Sequence, residues 1–207
     1  MSILNLERKA MVPSVETCFQ LMDRYGMLEN IRQHSIMVAR IARLIARYLL
    51  EAGEALSLDK VTAAALLHDI AKTSCLRTKK NHAEEGRKIC LRRGFEEIAP
   101  IVAEHVVLKK HPVDGRFSEK EVVYYADKRV NNHAIVSLEE RLCYILERYG
   151  GDGEALRQRI TANFNLCKTL EKAIFQKLPF APEELSRWLE QHPSQLIKDF
   201  GGNDGLS

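Results

Sequence analysis

The residues of this sequence best suited to chemistry are His34, the adjacent His68 and Asp69 in "AAALLHDIAKT", His105 and Asp127. A neutral imidazole offers a lone pair and a carboxylate two acceptor oxygens, so together they can hold a divalent cation. Each lies on the apolar stripe of a helical pattern. His34 precedes Val38 by four positions and Ile41 by seven, and His68 follows Ala64 and Ala65 by four and three. His105 follows Ile98 by seven and Ile101 by four, while Asp127 sits four after Val123 and three before Val130. An inward-facing Asp is costly in a low-dielectric core unless a cation or several donors compensate it. Taken singly, each of these groups is more often a hydrogen-bonded or ion-paired core residue. Their convergence from separate helices on one interior makes a shared metal centre the expectation. Mixed imidazole and carboxylate ligation suits Mn, Fe, Co, Ni or Zn, whereas an all-carboxylate set would lean toward Mg or Ca.

Helical periodicity runs the length of the chain, and no alternating apolar–polar run compels a strand, so the fold class is all-α. Residues 14–25 carry Val15, Cys18, Phe19 and Met22 on one face and stop at Gly26. From Asn30 to Glu51 the stripe is Ile31, Val38, Ile41, Ile45 and Leu49, closed by Gly53. Ser57 caps the next helix, "KTSCLRTKKN" reads as a loop, and Asn81 caps a short helix ending near Gly94. A helix over 96–107 is followed by a turn in "KKHPVDGRF". Ser118 with Glu121 and Ser137 with Glu140 both fit the capping box that opens a helix. A long amphipathic helix covers 154–178 through Leu156, Ile160, Phe164, Cys167, Leu170 and Ile174, and a last helix starts near Pro182. Residues 1–151 thus form the metal-binding helical domain, and 152–207 a C-terminal helical extension packed on it, ending in the loose tail "GGNDGLS".

A hydrophobic content of 45% against 29% charged residues is that of an ordinary globular chain, which sets disorder aside. The net charge of +3 suits an anionic small molecule but is too slight and too dispersed for a nucleic-acid footprint, and aromatic residues do not interleave with the basic ones. "MSILNLERKA" has no apolar core of signal-peptide length, and no segment approaches a membrane span. Cys18, Cys75, Cys90, Cys143 and Cys167 are scattered without a C-x-x-C pair, as expected of reduced thiols in a cytoplasmic protein and not of a disulfide frame or thiolate zinc site.

The motifs "LLHDIAKT", "NHAEEG", "VAEHV" and "VVYYADKRV", in this order after His34, resemble those of the HD-domain superfamily of metal-dependent phosphohydrolases, in its HDIG-type branch. The resemblance covers about residues 28–148, and the order is also similar to that of the bacterial diadenosine tetraphosphate hydrolases of that superfamily. It implies a helical bundle of the HD-domain type with extra C-terminal helices. It implies His34, His68, Asp69 and Asp127 as primary metal ligands, His82 and His105 as ligands of a second ion, and Asp69 as the bridge. "HDIA" stands here in place of HDIG, and Val106 follows His105 where some relatives pair two histidines, so one or two ions are expected. Mn, Fe, Co, Ni, Zn and Mg are not distinguished. His111 is a further histidine in a loop, more readily read as surface, like His133 and His192.

On this resemblance the protein is a hydrolase of phosphomonoesters or phosphoanhydrides, acting on a nucleotide or nucleotide-like substrate through metal-activated water. Asp69 and Lys72 carry the catalytic roles; Lys72 lies one helical turn beyond His68, at the rim. Lys72, Lys128 and Arg129 are the candidate substrate-binding residues, "RTKK" at 77–80 a further basic group, and Glu104 a candidate carboxylate supporting His105. Two other functions fit the ligand types: a di-iron oxygenase on the same scaffold, and a non-catalytic, metal-stabilised binding or sensing module. The apolar C-terminal helices leave room for a homodimer; neither nucleic acid nor membrane is an expected partner.

Overall fold

The computed structural model describes residues 11–109, 116–151 and 153–192, and helices dominate them. Ser14 Oγ accepts the Thr17 N–H (3.1 Å) and opens α1 (Val15–Arg24), which buries Cys18, Phe19 and Met22. Gly26, at φ 60°, turns the chain through the left-handed region into α2 (Glu29–Glu51). The start of α2 is capped from a distance: the Leu28 N–H donates to Thr73 Oγ1 at 3.0 Å. α2 is the axis of the fold, with Val38, Ile41, Ile45 and Leu49 fully buried. It packs most extensively on α3 (Leu58–Leu67) and α7 (Glu119–Lys128). α3 is buried on every side from Val61 to Leu67, and its three consecutive alanines, Ala63 to Ala65, let neighbouring helices approach closely.

Between Leu67 and Lys72 the regular helix is interrupted. The Ile70 N–H donates to Leu67 O (3.1 Å) and the Lys72 N–H to Asp69 O (2.9 Å), a tighter i to i+3 spacing. The interruption falls at His68 and Asp69, and both side chains are buried. α4 (Lys72–Thr78) then forms where the composition of "KTSCLRTKKN" predicts a loop, and ends at Lys79 with φ 55°. Its Cys75 is the residue that turns inward. α5 (His82–Arg92) starts as expected, with Asn81 Oδ1 accepting the N–H groups of Ala83 and Glu84. α6 (Ala99–Glu104) is shorter than the predicted 96–107, because the chain leaves the helix at His105.

A two-residue ladder joins β1 (Val130–Asn131) to β2 (Ala134–Ile135), pairing Val130 with Ile135 and Asn131 with Ala134. Periodicity gave no warning of it, since strands this short carry no pattern. α8 (Leu138–Tyr149) opens on the expected capping box: Ser137 Oγ accepts the Glu140 N–H (3.1 Å), and the Glu140 carboxylate accepts the Ser137 N–H (2.7 Å). α9 (Glu154–Phe175) buries Phe164, Cys167, Leu170 and Ile174 against α7 and α8, but Leu156, expected inward, is 44% exposed. A 3-10 turn (Pro182–Glu184) leads to α10 (Leu185–Gln191), where Trp188 stacks on Phe180 (4.6 Å between ring centroids) and meets Tyr48 of α2 edge-on. The described part of the C-terminal extension therefore packs on the same body as the rest. His111 and the "GGNDGLS" tail lie outside the described residues.

Gly86 of α5 sits where α5, α6 and the 68–70 turn converge: a Cβ there would stand 2.9 Å from Val102 Cγ1 and 3.7 Å from the His68 carbonyl oxygen. Gly86→Val should therefore destabilise the fold by ~1–3 kcal/mol through overpacking. Urea unfolding measures this, and wild-type stability in that variant would mean that the two helices have room to part.

Candidate metal centre

Three histidines are aimed by the main chain. His34 Nδ1 lies 3.0 Å from Asn132 O, His68 Nδ1 2.7 Å from Ala65 O, and His105 Nδ1 2.7 Å from Val102 O. A carbonyl only accepts, so each Nδ1 carries the hydrogen and, in the neutral ring, each Nε2 presents a lone pair. Those Nε2 atoms point at the two buried aspartates. His34 Nε2 is 3.0 Å and His68 Nε2 3.5 Å from Asp127 Oδ1. His68 Nε2 is also 3.4 Å from Asp69 Oδ2, and His105 Nε2 is 3.5 Å from Asp69 Oδ1. His82, from the first turn of α5, brings its Nε2 to 3.3 Å from Asp69 Oδ1 and 3.2 Å from His105 Nε2.

Two lobes result, one of His34, His68 and Asp127, the other of His82 and His105. Asp69 stands between them, with Oδ2 toward His68 and Oδ1 toward His82 and His105. Lone pairs face lone pairs across these gaps, which is repulsive without a proton or a cation between them. His68 Nε2 and Asp69 Oδ1 are moreover fully buried with no hydrogen-bond partner, an arrangement a coordinated ion would satisfy and an apolar core would not. The donor atoms of His34, His68 and Asp127, and of His68, Asp69 and His105, each lie within 4.8 Å of one another, as ligands of one ion must. The residues present therefore fit a divalent cation.

The HD-domain family model matches residues 31–145, more than half of the chain. The chain belongs to the HD-domain family. HD domains bind divalent metals, and in this one the matched stretch contains every residue of the two lobes. The crystal structure of a predicted HD superfamily hydrolase from an uncultured Thermotogales bacterium is similar at 16% identity and a TM-score of 0.46, over 93% of this chain and 99% of that one. No curated protein matches the sequence.

Burial alone would raise the pKa of both aspartates in this HD domain. The charges of His68 and Lys72 instead hold Asp69 well below the usual carboxylate range, and Lys128, His34 and His68 do the same for Asp127. Burial pushes His34 and His105 down, and takes His82 down to about 4, so these rings are neutral at neutral pH and ready to donate. His68 differs. Burial opposes its charge, but Asp69 and Asp127 outweigh that and push its pKa up to about 9.

The basic residues divide differently from the sequence expectation. Lys72 stays at the rim: its Nζ donates to Asp69 Oδ2 at 2.7 Å while 31% of the side chain is exposed. Lys128 and Arg129, expected to reach substrate, are both buried and engaged internally. Lys128 Nζ donates to Asp127 Oδ2 and to His105 O, each at 2.8 Å. Arg129 donates to Val136 O (2.7 Å), Pro182 O (3.0 Å) and Glu171 Oε2 (3.1 Å). The reason is position: α7 is covered by α2, α6 and α9, so cations at its end find carboxylates and carbonyls before they find water. Glu104 is buried, yet it accepts from Lys120 Nζ (2.8 Å) and the Lys109 N–H (3.0 Å), tying α6 to α7 instead of holding the His105 ring. Arg77, Lys79 and Lys80 are exposed. His192 ends α10, its Nδ1 3.0 Å from Trp188 O, and His133 is exposed in the β1–β2 turn. The carbonyls of Ala65, Val102 and Asn132, which orient the histidines, carry no signal in residue type.

A cation entering this site must displace the proton of His68. Its affinity should therefore rise about tenfold per pH unit and level off near pH 9, the pKa of that ring, because only the neutral form is a ligand. Calorimetric titration with Mn or Co in buffers of different ionisation enthalpy should read about one proton released per ion near neutral pH. An affinity unchanged across that range would mean that the ion displaces no proton from His68, and His68→Ala, by keeping or losing the ion, then decides whether that ring is a ligand.

Proposed function

We propose that this HD-domain protein is a metal-dependent phosphohydrolase that cleaves a phosphomonoester or phosphoanhydride in a nucleotide or nucleotide-like substrate. The observation that carries the reading is the split Asp69 carboxylate between two histidine lobes, with the Lys72 ammonium beside it at the opening. His34, His68, Asp69 and Asp127 would hold one divalent ion, and Asp69, His82 and His105 a second. Such ions, when bound, lower the pKa of water toward neutrality and polarise a phosphoryl oxygen.

The chain's own contribution follows from charge and access. His82 and Lys72 are the partly exposed members of the site, with side chains 28% and 31% accessible, so substrate approaches on their side. Lys72 presents a positive charge to the oxygens of an incoming phosphate and can stabilise the charge that develops on them. Arg77 in the last turn of α4 and Lys79 and Lys80 just after it, all exposed, add positive charge near His82 in the chain, which suits a substrate carrying further phosphates. This cationic rim suits an anionic, phosphorylated substrate. A cytoplasmic location fits the reduced, scattered cysteines; among the described residues no helix is long and apolar enough to cross a membrane.

Two variants test the reading in a phosphate-release screen over nucleotides with Mn, Mg, Fe and Co. Asp69→Ala should abolish release and lower the bound metal, and full activity in that variant excludes the centre. Lys72→Met should keep its metal but lose about 10²–10³-fold in kcat, the usual cost of removing one preorganised charge from a transition state. Oxygen consumption without phosphate release would assign the oxygenase instead, and loss of fold on chelation without any turnover would assign a structural metal.

A further inference from the structure

The engagement of Lys128 inside the fold points to a role other than substrate binding. We propose that Lys128 is a positioning residue, which fixes how Asp127 and His105 present their donor atoms to a bound divalent cation; the inference rests on the metal-centre reading above.

Lys128 Nζ donates to Asp127 Oδ2 at 2.8 Å, which leaves Oδ1 as the oxygen turned toward His34 Nε2 (3.0 Å) and His68 Nε2 (3.5 Å). The same ammonium donates to the backbone oxygen of His105, also at 2.8 Å, and the ring of that residue belongs to the other lobe. One buried cation thus holds a donor residue from each lobe. Its remaining side lies over the Tyr124 ring, 4.5 Å from the centroid, an attraction that strengthens out of water.

Tyr124 is itself held by α9. Its hydroxyl donates to Asn163 O (2.7 Å), with Asn163 Oδ1 at 2.9 Å, and Asn163 Nδ2 donates to Val106 O (3.0 Å), the residue after His105. The C-terminal extension therefore braces both the platform under Lys128 and the segment that leaves His105. A lysine only 6% exposed is expensive to desolvate, and plain packing would be served by an uncharged side chain of similar length.

Charge gives the arrangement a second consequence. Lys72 pairs with Asp69 and Lys128 with Asp127, so the two carboxylates are already balanced and the charge of a bound divalent ion remains available to an anion.

Co(II) makes the inference measurable, because its visible absorption reports the ligands around the ion. Wild type and Lys128→Met are loaded with Co(II), and spectra and dissociation constants are compared. The variant should fold, show an altered spectrum and bind Co(II) about 10–100-fold more weakly, the usual effect of removing a group that orients metal ligands. The spectrum decides: a wild-type spectrum in Lys128→Met overturns the inference and leaves the metal centre standing. A wild-type protein that takes up no Co(II) overturns the centre, and this inference with it. Ile174→Ala separates positioning from general loosening, since it weakens the α9 core away from the network and should keep the wild-type spectrum; the same alteration in both variants would also overturn the inference. If Lys128→Met does not fold, Lys128→Leu, which also removes the donor, carries the same comparison.

Discussion

Two ionised carboxylates in the dry interior of a helical bundle set the terms for the rest of this structure. Asp69 is 1% exposed and Asp127 8%, in a core built largely of aliphatic and aromatic side chains. An isolated buried carboxylate costs several kcal/mol or more, so each must be answered by positive charge or by donors. The answer comes in two layers. Lys72 and Lys128 neutralise one oxygen of each aspartate, and the other oxygens are turned toward imidazole nitrogens that, when neutral, have no hydrogen to give. The second layer is incomplete where those rings are neutral, and a divalent cation would complete it.

The scaffold serves that incompleteness. Backbone carbonyls of α3, α6 and the β1–β2 turn take the Nδ1 hydrogens, which fixes the tautomers and turns the Nε2 atoms inward. The turn that orients His34 is itself held on both sides: Arg129 donates to Val136 O and Arg141 to Asn131 Oδ1. Residues that look like surface cations in the sequence are thereby part of the support of the site.

The distribution of charge also separates two kinds of lysine. Lys72 keeps contact with solvent and can meet an anion, whereas Lys128 has exchanged solvent for a carboxylate, a carbonyl and a tyrosine ring. Both balance an aspartate, but only one remains on the side from which a substrate comes. The extension formed by α9 and α10 takes part through Asn163, Glu171 and the Pro182 carbonyl, each bonded to a residue of α7 or to the arginine that follows it.

The sequence by itself determined the all-α class, the caps at Ser57, Asn81 and Ser137, and the inward placement of His34, His68, His105 and Asp127. Periodicity and capping are local, and they report which face of a helix is buried however the helices are later arranged. His82 was reachable through the family motif, not through periodicity. The place of Asp69 between two ligand sets was likewise implied by the family motif; only the tertiary structure decided that Lys128 and Arg129 turn inward, that "KTSCLRT" is helical and that a small hairpin orients His34. Those outcomes depend on which groups meet across the core, and a side chain's choice between water and a buried partner is set by neighbours distant in the chain.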